Sequence, residues 1–164
     1  MTYYDEIAHS YNELHGEEQK KKVKIILDYF KKQKISLNKK KILDVGCGTG
    51  IATKEFSTIG IDPSIKLLQK CGFPVVQGKG ERLPFADKSF DIIICLTAIH
   101  NFDDWKKGIA EIKRVTKKIA IISVLKKAKQ MDLIAREIKK QFKKINEIEE
   151  EKDIILFCER QQHL

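Results

Sequence analysis

The chain has 164 residues, of which 42% are hydrophobic and 34% charged, and this composition predicts a single folded domain with a hydrophobic core. No apolar run reaches the length of a bilayer span and the first residues do not resemble a secretory signal, so we expect no membrane partner. The formal net charge is +9, yet only four of the 32 basic residues are arginine. Because lysine lacks the planar fork of arginine, this charge leaves open either a solvated lysine surface or an anionic, nucleic-acid partner.

The cysteines indicate free thiols. The four of them stand at positions 47, 71, 95 and 158 without Cys-x-x-Cys spacing, and three lie in apolar or glycine-rich settings. We therefore expect a reduced, cytoplasmic chain without a metal site.

Apolar spacing predicts two helices within residues 1–35. The first extends over residues 3–15 and ends at Gly16, and the second runs from Glu17 to about Lys34. Two tyrosines on the first helix belong either to the core or to the mouth of a ligand site. The predicted stripe of that helix consists of Tyr4, Ala8, Tyr11 and Leu14.

The most informative stretch is an apolar run that stops in three glycines at alternate positions. Ile42–Val45 is predicted as a buried strand, and Gly46–Gly50 as a turn whose backbone can approach a ligand closely. A helix over 51–56 would direct its free N–H groups back at the turn. A glycine turn alone is a weak signal, since several nucleotide-binding folds use one.

A second apolar run, at 57–62, ends in an acidic residue and strengthens the evidence for a nucleotide-binding site. Asp62 stands at the predicted strand tip, and Pro63 begins a helix after it. A carboxylate in this place can accept both hydroxyls of a ribose. The glycine turn together with this acid predicts a ligand that contains adenosine.

Strands and helices alternate as far as residue 142, and a short acidic turn then joins two final strands. This order predicts an α/β fold of minimal size, with a Rossmann-like, doubly wound, mostly parallel seven-stranded sheet whose last strand is antiparallel. Four predicted loops leave the carboxyl ends of parallel strands and should meet in one crevice. The further predicted strands are 73–77, 90–96, 119–125, 144–148 and 154–158, and the further helices are 64–71, one capped by Asp103 and Asp104, and 128–142.

Several motifs, in order, resemble the class I S-adenosylmethionine-dependent methyltransferases, in the type 11 or ubiquinone-biosynthesis-like branch. The resemblance covers essentially the whole chain and implies one methyltransferase domain over 1–164. In it, helices within 1–35 cover the site and 40–164 form the Rossmann-like core. The motifs that carry it are Leu43–Gly50, Gly60–Ser64, Gly80–Phe85 with Ser89–Asp91, Ala98–Phe102, and Tyr4–Ala8 with Tyr11.

The resemblance implies S-adenosylmethionine as cofactor and S-adenosylhomocysteine as product. Position by position, Asp44 and the glycine turn would hold the amino-acid end, Asp62 the ribose and Gly80 the adenine. Leu96 would lie near the methionine portion, and Tyr11 would close over it as a lid residue. The implied cofactor-binding set is Tyr11, Asp44, Gly46, Cys47, Gly48, Gly50, Asp62, Pro63, Lys79, Gly80, Glu81 and Leu96.

Two departures from the family concern the cofactor. Lys79 stands where the family often has an aspartate that accepts a bond from the adenine amino group, and lysine cannot accept it. The helix after the glycine turn is also short. For catalysis, His100 is the best candidate base, with Tyr11 as a second candidate. His100 has the alternative of an orienting or merely packed residue.

The sequence narrows the choice of methyl acceptor only through the motifs that it lacks. It has no Asn-Pro-Pro-Tyr after the fourth strand, no Pro-Cys nucleophile and no large insertion that could roof a substrate. We therefore expect a methyl transfer to oxygen or nitrogen of a small molecule or RNA. A partner protein or a second copy of the chain could complete the substrate wall. The alternatives are a non-catalytic, cofactor-binding or partner-activating module and, third, a nicotinamide dehydrogenase.

Overall fold

A computed structural model describes residues 3–56 and 58–161, with the side chain of Lys144 excepted. Strands and helices alternate along most of the chain, as predicted. The helices are α1 (Tyr3–Glu6), α2 (Tyr11–Lys32), α3 (Ile51–Phe56), α4 (Ile65–Leu68), α5 (Trp105–Val115) and α6 (Met131–Gln141). The strands are β1 (Ile42–Val45), β2 (Ile59–Asp62), β3 (Val75–Gln77), β4 (Phe90–Leu96), β5 (Thr116–Leu125), β6 (Lys144–Glu149) and β7 (Asp153–Glu159).

The strands form one seven-stranded sheet in the order β3-β2-β1-β4-β5-β7-β6. The five strands from β3 to β5 are parallel, and β7 lies antiparallel between β5 and β6. The predicted doubly wound sheet with a reversed last strand is therefore confirmed. The strand order reverses between β1 and β4, and ligands of such sheets bind at this switch point, outside the carboxyl ends of the strands.

Apolar side chains cover the sheet on both faces. Ile93 and Cys95 of β4 pack into a core with α5 and α6, whereas Ile92 and Ile94 pack into a core with α2 and α3. A strand that is buried on both sides reads as a continuous apolar run, as this one does. In the part of the chain that the structure describes, no helix is long and apolar enough to cross a bilayer.

The N-terminal helices differ from the prediction. Gly16 does not end a helix: α2 begins at Tyr11 and continues through Gly16 to Lys32, and α1 is a single turn. Glycine in a helix costs only about 1 kcal/mol relative to alanine, and burial of Val23, Ile26 and other residues of the long helix offsets it. Leu14, placed on the predicted apolar stripe, is exposed.

Smaller differences lie at element ends. The second strand begins at Ile59, while Ser57 of the predicted run lies outside the described residues. The loop after β4 contains a 3-10 turn over Ile99–Asn101. Asp104 caps α5 by accepting from the N–H of Lys107 at 3.1 Å, but Asp103 does not cap it and instead pairs with a lysine.

Candidate active site

The glycine turn after β1 is held against β2 by backbone bonds. The N–H groups of Gly46 and Cys47 both donate to the Ile61 carbonyl, at 2.8 and 3.1 Å. Gly46, Gly48 and Gly50 have φ angles of +75°, +57° and +85°, which side chains rarely adopt. A Cβ at Gly46 would lie 2.6 Å from the Ala98 Cβ, so the turn also has no room for one.

Asp62 stands at the end of β2 and ties the turn to the following segment. Its Oδ2 accepts the Gly48 N–H at 3.0 Å and its Oδ1 accepts the Ser64 N–H at 2.9 Å. Burial raises the pKa of this carboxyl, which the two backbone bonds oppose. Each carboxylate oxygen keeps a second lone pair, and the residue lines a cavity at the carboxyl ends of the strands.

Asp44 is a second buried carboxyl at the same place. It accepts the Thr53 hydroxyl at 2.8 Å, and burial raises its pKa to about 7, with the nearby Asp62 charge adding to the effect. Among the described residues no basic side chain forms an ion pair with either acid. A cationic ligand is therefore what the electrostatics of this site favour. S-adenosylmethionine, with its ammonium and sulfonium groups, fits this requirement.

A cavity of about 360 Å³ opens at the carboxyl ends of the strands. A separate chamber of about 10 Å³, which is at the lower limit of the space that one water molecule needs, lies beside Asp44 and Cys47. Leu96, Gly46 and Tyr11 border both spaces. The predicted cofactor residues that line the larger cavity are Tyr11, Gly46, Asp62, Pro63, Lys79, Gly80, Glu81 and Leu96.

Tyr11 lies at the border of both spaces, against the glycine turn. A Cβ built on Gly48 would lie 2.9 Å from the Tyr11 hydroxyl, so the phenol rests directly on the glycine turn. Burial raises the pKa of this phenol well above its ordinary value, and it stays protonated at neutral pH. The ring thus stands where the resemblance puts the amino-acid end of the cofactor.

The N-terminal segment bridges the crevice. On one side the Ser64 hydroxyl donates to Asp5 at 2.5 Å, and on the other the Asn101 amide donates to the Tyr4 hydroxyl at 2.6 Å. These bonds join α1 to the segment after β2 and to the loop after β4.

A further loop borders the cavity on its β3 side. Arg114 of α5 holds this loop by donating to the carbonyls of Leu83 and Phe85, at 3.0 and 2.7 Å. Within the loop Lys79 is exposed and lies 3.3 Å from Asp103, Nζ to Oδ2.

Phe102 lines the cavity, although it is not among the predicted site residues and only its loop is predicted to reach the crevice. Its ring fits between two glycines, since a Cβ at Gly80 or at Gly108 would come within 2.4 Å of it. These glycines are far apart in sequence, so no local pattern indicates that they share one aromatic ring.

His100 lies half-buried in the 3-10 turn. Its neighbours Ala98 and Asn101 line the cavity, but His100 is not among the described lining residues. Burial lowers its pKa, so the imidazole is neutral at pH 7. Its Nδ1 has no hydrogen-bond partner within the described ranges. Its role as a base stays a prediction.

Known proteins share both the motifs and the fold. A family model described as a methyltransferase domain matches residues 43–124. Protein MJ1252 of Methanocaldococcus jannaschii is 35% identical over 120 residues, which are 70% of this chain and 46% of that protein. A demethylmenaquinone methyltransferase of Corynebacterium kroppenstedtii is 40% identical over 86 residues, 47% of this chain and 37% of that protein. The chain thus spans less than half the length of these two relatives.

One solved structure matches nearly from end to end. It is a SAM-dependent methyltransferase from Thermotoga maritima, described as a possible histamine N-methyltransferase, with 19% identity and a TM-score of 0.69. The match covers 94% of this chain and 98% of that one, which shows a common fold. The family model covers half of the sequence, and the chain therefore belongs to the class I S-adenosylmethionine-dependent methyltransferases, in their type 11 branch.

Proposed function

We propose that the protein transfers a methyl group from S-adenosylmethionine to an oxygen or nitrogen acceptor on a small molecule or RNA. The observation that carries this proposal is the pair of buried carboxyls, Asp44 and Asp62, on either side of a glycine turn at the switch point of the sheet. The cofactor, when bound, supplies a methyl group activated by a sulfonium. The protein's part is to bind, to orient and to exclude water.

The cofactor residues have distinct proposed roles. Asp44 would pair with the ammonium group and Asp62 would accept the ribose hydroxyls through its free lone pairs. The backbone N–H of Gly80 would donate to the adenine, with Phe102 packed behind it. The other contacts that we propose come from residues that line the small chamber or the larger cavity, namely Cys47, Pro63, Lys79, Glu81 and Leu96. Gly48 and Gly50 line neither space, and the contacts proposed for them rest on the turn that they share with Gly46.

Tyr11 would have to move when the cofactor binds. Its phenol lies on Gly48 and leaves only the small chamber beside Asp44. A swing of the ring would open that chamber to the larger cavity, and its return would cover the methionine portion. Because the phenol is protonated, we propose Tyr11 as a lid and a hydrogen-bond donor rather than as a base.

The acceptor must reach the methyl group from the mouth of the cavity. A volume of about 360 Å³ is at the lower end of the roughly 300–1,000 Å³ typical of small-molecule sites, so the cofactor occupies most of it. The names of the relatives favour a small acceptor. The net charge of +9 is the feature that supports RNA, and it supports RNA weakly because nearly all of the basic residues are lysine. A partner protein or a second copy of the chain could supply the missing wall. The neutral imidazole of His100 would accept the proton that such an acceptor releases.

A second candidate function is a non-catalytic, cofactor-binding or partner-activating module. The position of Tyr11 favours it, because the phenol takes the place of the amino-acid end of the ligand. For either function we propose one domain over 1–164, with the helices of 1–35 covering the site. The four free thiols support a further proposal, namely that the protein is located in the cytoplasm.

Calorimetry with S-adenosylmethionine and S-adenosylhomocysteine tests the first step. Binding by the wild type and its loss in Asp62→Ala would support the site, and absence of binding by the wild type would overturn the proposal.

The second step is incubation with cofactor labelled in its methyl group and fractionated cell extract. Label in a small molecule or in RNA identifies the acceptor class. Cofactor binding without any transfer would favour the module.

A further inference from the structure

A fully buried ion pair lies behind the cavity wall. Lys22 of α2 is 1% exposed and Asp153, at the start of β7, is 0% exposed, with Nζ and Oδ2 3.7 Å apart. Removing two charges from water is costly, and replacing a buried ion pair with apolar residues of similar volume often leaves a fold equally or more stable. The pair therefore calls for an explanation other than stability.

Asp153 also holds a strained residue of the cavity wall. Thr97 has a φ of +52°, a backbone angle that is an outlier for a β-branched residue. Its hydroxyl donates to Asp153 Oδ2 at 2.7 Å, and its N–H donates to the Ser123 hydroxyl at 2.8 Å. Thr97 lies in the wall between Leu96 and Ala98, so the carboxylate fixes the turn that shapes this side of the cavity.

The same pair acts on His100. The Asp153 charge raises the pKa of this imidazole and the Lys22 charge lowers it, against a larger lowering by burial. The Nδ1 of His100 and the Oδ1 of Asp153 are both buried without a hydrogen-bond partner in the described part of the chain. Another charged group also contacts Asp153, since the Glu150 carboxylate accepts the Asp153 N–H at 2.5 Å.

We propose that Lys22 and Asp153 form a positioning pair, in which Asp153 fixes the cavity wall through Thr97 and the pair places two opposite charges near the His100 imidazole. Asp153 is outside the cavity lining and touches no reacting atom, so its effect is transmitted through these neighbours. The Thr97 part concerns cofactor binding alone. The His100 part rests on the proposed function, in which this imidazole is the base.

Two double variants test the part played by Thr97. Lys22→Met/Asp153→Leu removes both charges and the acceptor for the Thr97 hydroxyl, whereas Lys22→Met/Asp153→Asn removes both charges but keeps an amide oxygen there. We expect the first to weaken S-adenosylhomocysteine binding at least about tenfold and the second to stay within about threefold of the wild type. Equal affinities in the two would overturn this part.

A third variant covers a failure of either double variant to fold. Thr97→Val keeps the shape of the side chain and the ion pair, and removes only the hydroxyl donor. The same loss of at least about tenfold is expected, and unchanged affinity would count against the proposal. If the wild type itself does not bind S-adenosylhomocysteine, the proposed function fails along with this part.

The charge on His100 is measured without any ligand. The imidazole signals of the four histidines are followed by NMR across pH, and His100→Gln assigns the signal of interest. Asp153→Asn removes an anion and should move the His100 titration to lower pH, whereas Lys22→Met removes a cation and should move it to higher pH, each by about half a unit or more. General loosening of the structure would move the His100 titration in the same direction in both variants. That result, or an unchanged titration in both, overturns the proposal. Should Asp153→Asn not fold, Lys22→Met alone decides.

Discussion

The two sides of the switch point are built by different means. On the β1–β2 side, the site consists of a glycine turn and two carboxyls that lie 18 positions apart, Asp44 and Asp62. On the β4–β5–β7 side, the wall depends on Lys22, Thr97 and Asp153, which the fold brings together from three distant segments. Local chain geometry shapes the first side, and long-range side-chain contacts shape the second.

This difference predicts different responses to mutation. A residue whose backbone is the binding surface cannot be exchanged without changing that surface. A wall held by side-chain contacts tolerates substitutions that keep the hydrogen-bond acceptor, as the two double variants above are designed to show. Four further changes test the contrast between the sides.

The largest effect is expected at the glycine turn. Gly46→Ala would put a Cβ 2.6 Å from the Ala98 Cβ at a φ of +75°, a region that costs other residues about 1–2 kcal/mol before any clash. We expect S-adenosylhomocysteine affinity to fall about 100-fold or more by calorimetry. Gly72→Ala is the matched control, since its Cβ would meet nothing within 4 Å. An equal loss in both variants would mean that the turn is not special.

A smaller loss is expected at Asp62. Asp62→Asn replaces one of the two oxygens that accept the Gly48 and Ser64 N–H groups with a donor, which leaves a backbone donor unpaired. Such a group costs about 1–3 kcal/mol, so affinity should fall about 10- to 100-fold. Asp132→Asn, on the exposed side of α6, serves as the control. If Asp62→Asn kept the full wild-type affinity, the ribose would have to be recognised by other residues.

A pH effect of about tenfold is expected from Asp44. Its pKa is raised to about 7, so the anion that would pair with the ligand ammonium forms only as the pH rises through 7. Affinity for S-adenosylhomocysteine should therefore increase about tenfold from pH 6 to pH 8, and Asp44→Asn should bind weakly without this trend. A wild-type affinity that is flat with pH would contradict the assignment.

The same carboxyl has the opposite effect on the stability of the ligand-free protein. Because its folded pKa is above the ordinary 3.8, its contribution is fully present below that value and is lost as pH rises through about 7. The melting temperature should decline between pH 5 and pH 8 more in the wild type than in Asp44→Asn. A decline of the same size in both would assign the trend to other groups.

The β1–β2 side could be predicted from the sequence because its signals are local. The apolar run Ile42–Val45 and the helix Ile51–Phe56 have the bounds that the patterns indicate. An apolar run bounded by glycines leaves the chain few other conformations. The family motifs then identified the cofactor.

On the other side the strand Phe90–Leu96 could be predicted from its apolar run. The side-chain contacts that hold the cavity wall could not be predicted, because their residues carry misleading local signals. Lys22 belongs to a lysine-rich stretch and Asp153 ends an acidic one, and both patterns indicate solvent-exposed side chains. Their burial depends on where α2 crosses the end of β7, which no short-range pattern contains. Gly16 misled for a related reason, since packing of the whole helix overrides the local propensity of one residue.

The smallest effect is expected at Lys79, the position where the family often has an acid. Its side chain is 64% exposed and pairs with Asp103 at 3.3 Å, and exposed pairs of this kind contribute about 0–1 kcal/mol. If the adenine is held by the Gly80 backbone and the Phe102 ring, Lys79→Ala should change S-adenosylhomocysteine affinity less than about threefold.

Asp103→Ala removes the same ion pair from its other end and is the matched control for Lys79→Ala. Equal, small effects of the two variants would leave recognition on this side with the backbone, as at the glycine turn. A loss of more than about tenfold in Lys79→Ala alone would instead mean that the lysine itself contacts the ligand. Ligand recognition through the backbone would then hold for the turn between β1 and α3 but not for the loop after β3, where a side chain would take part.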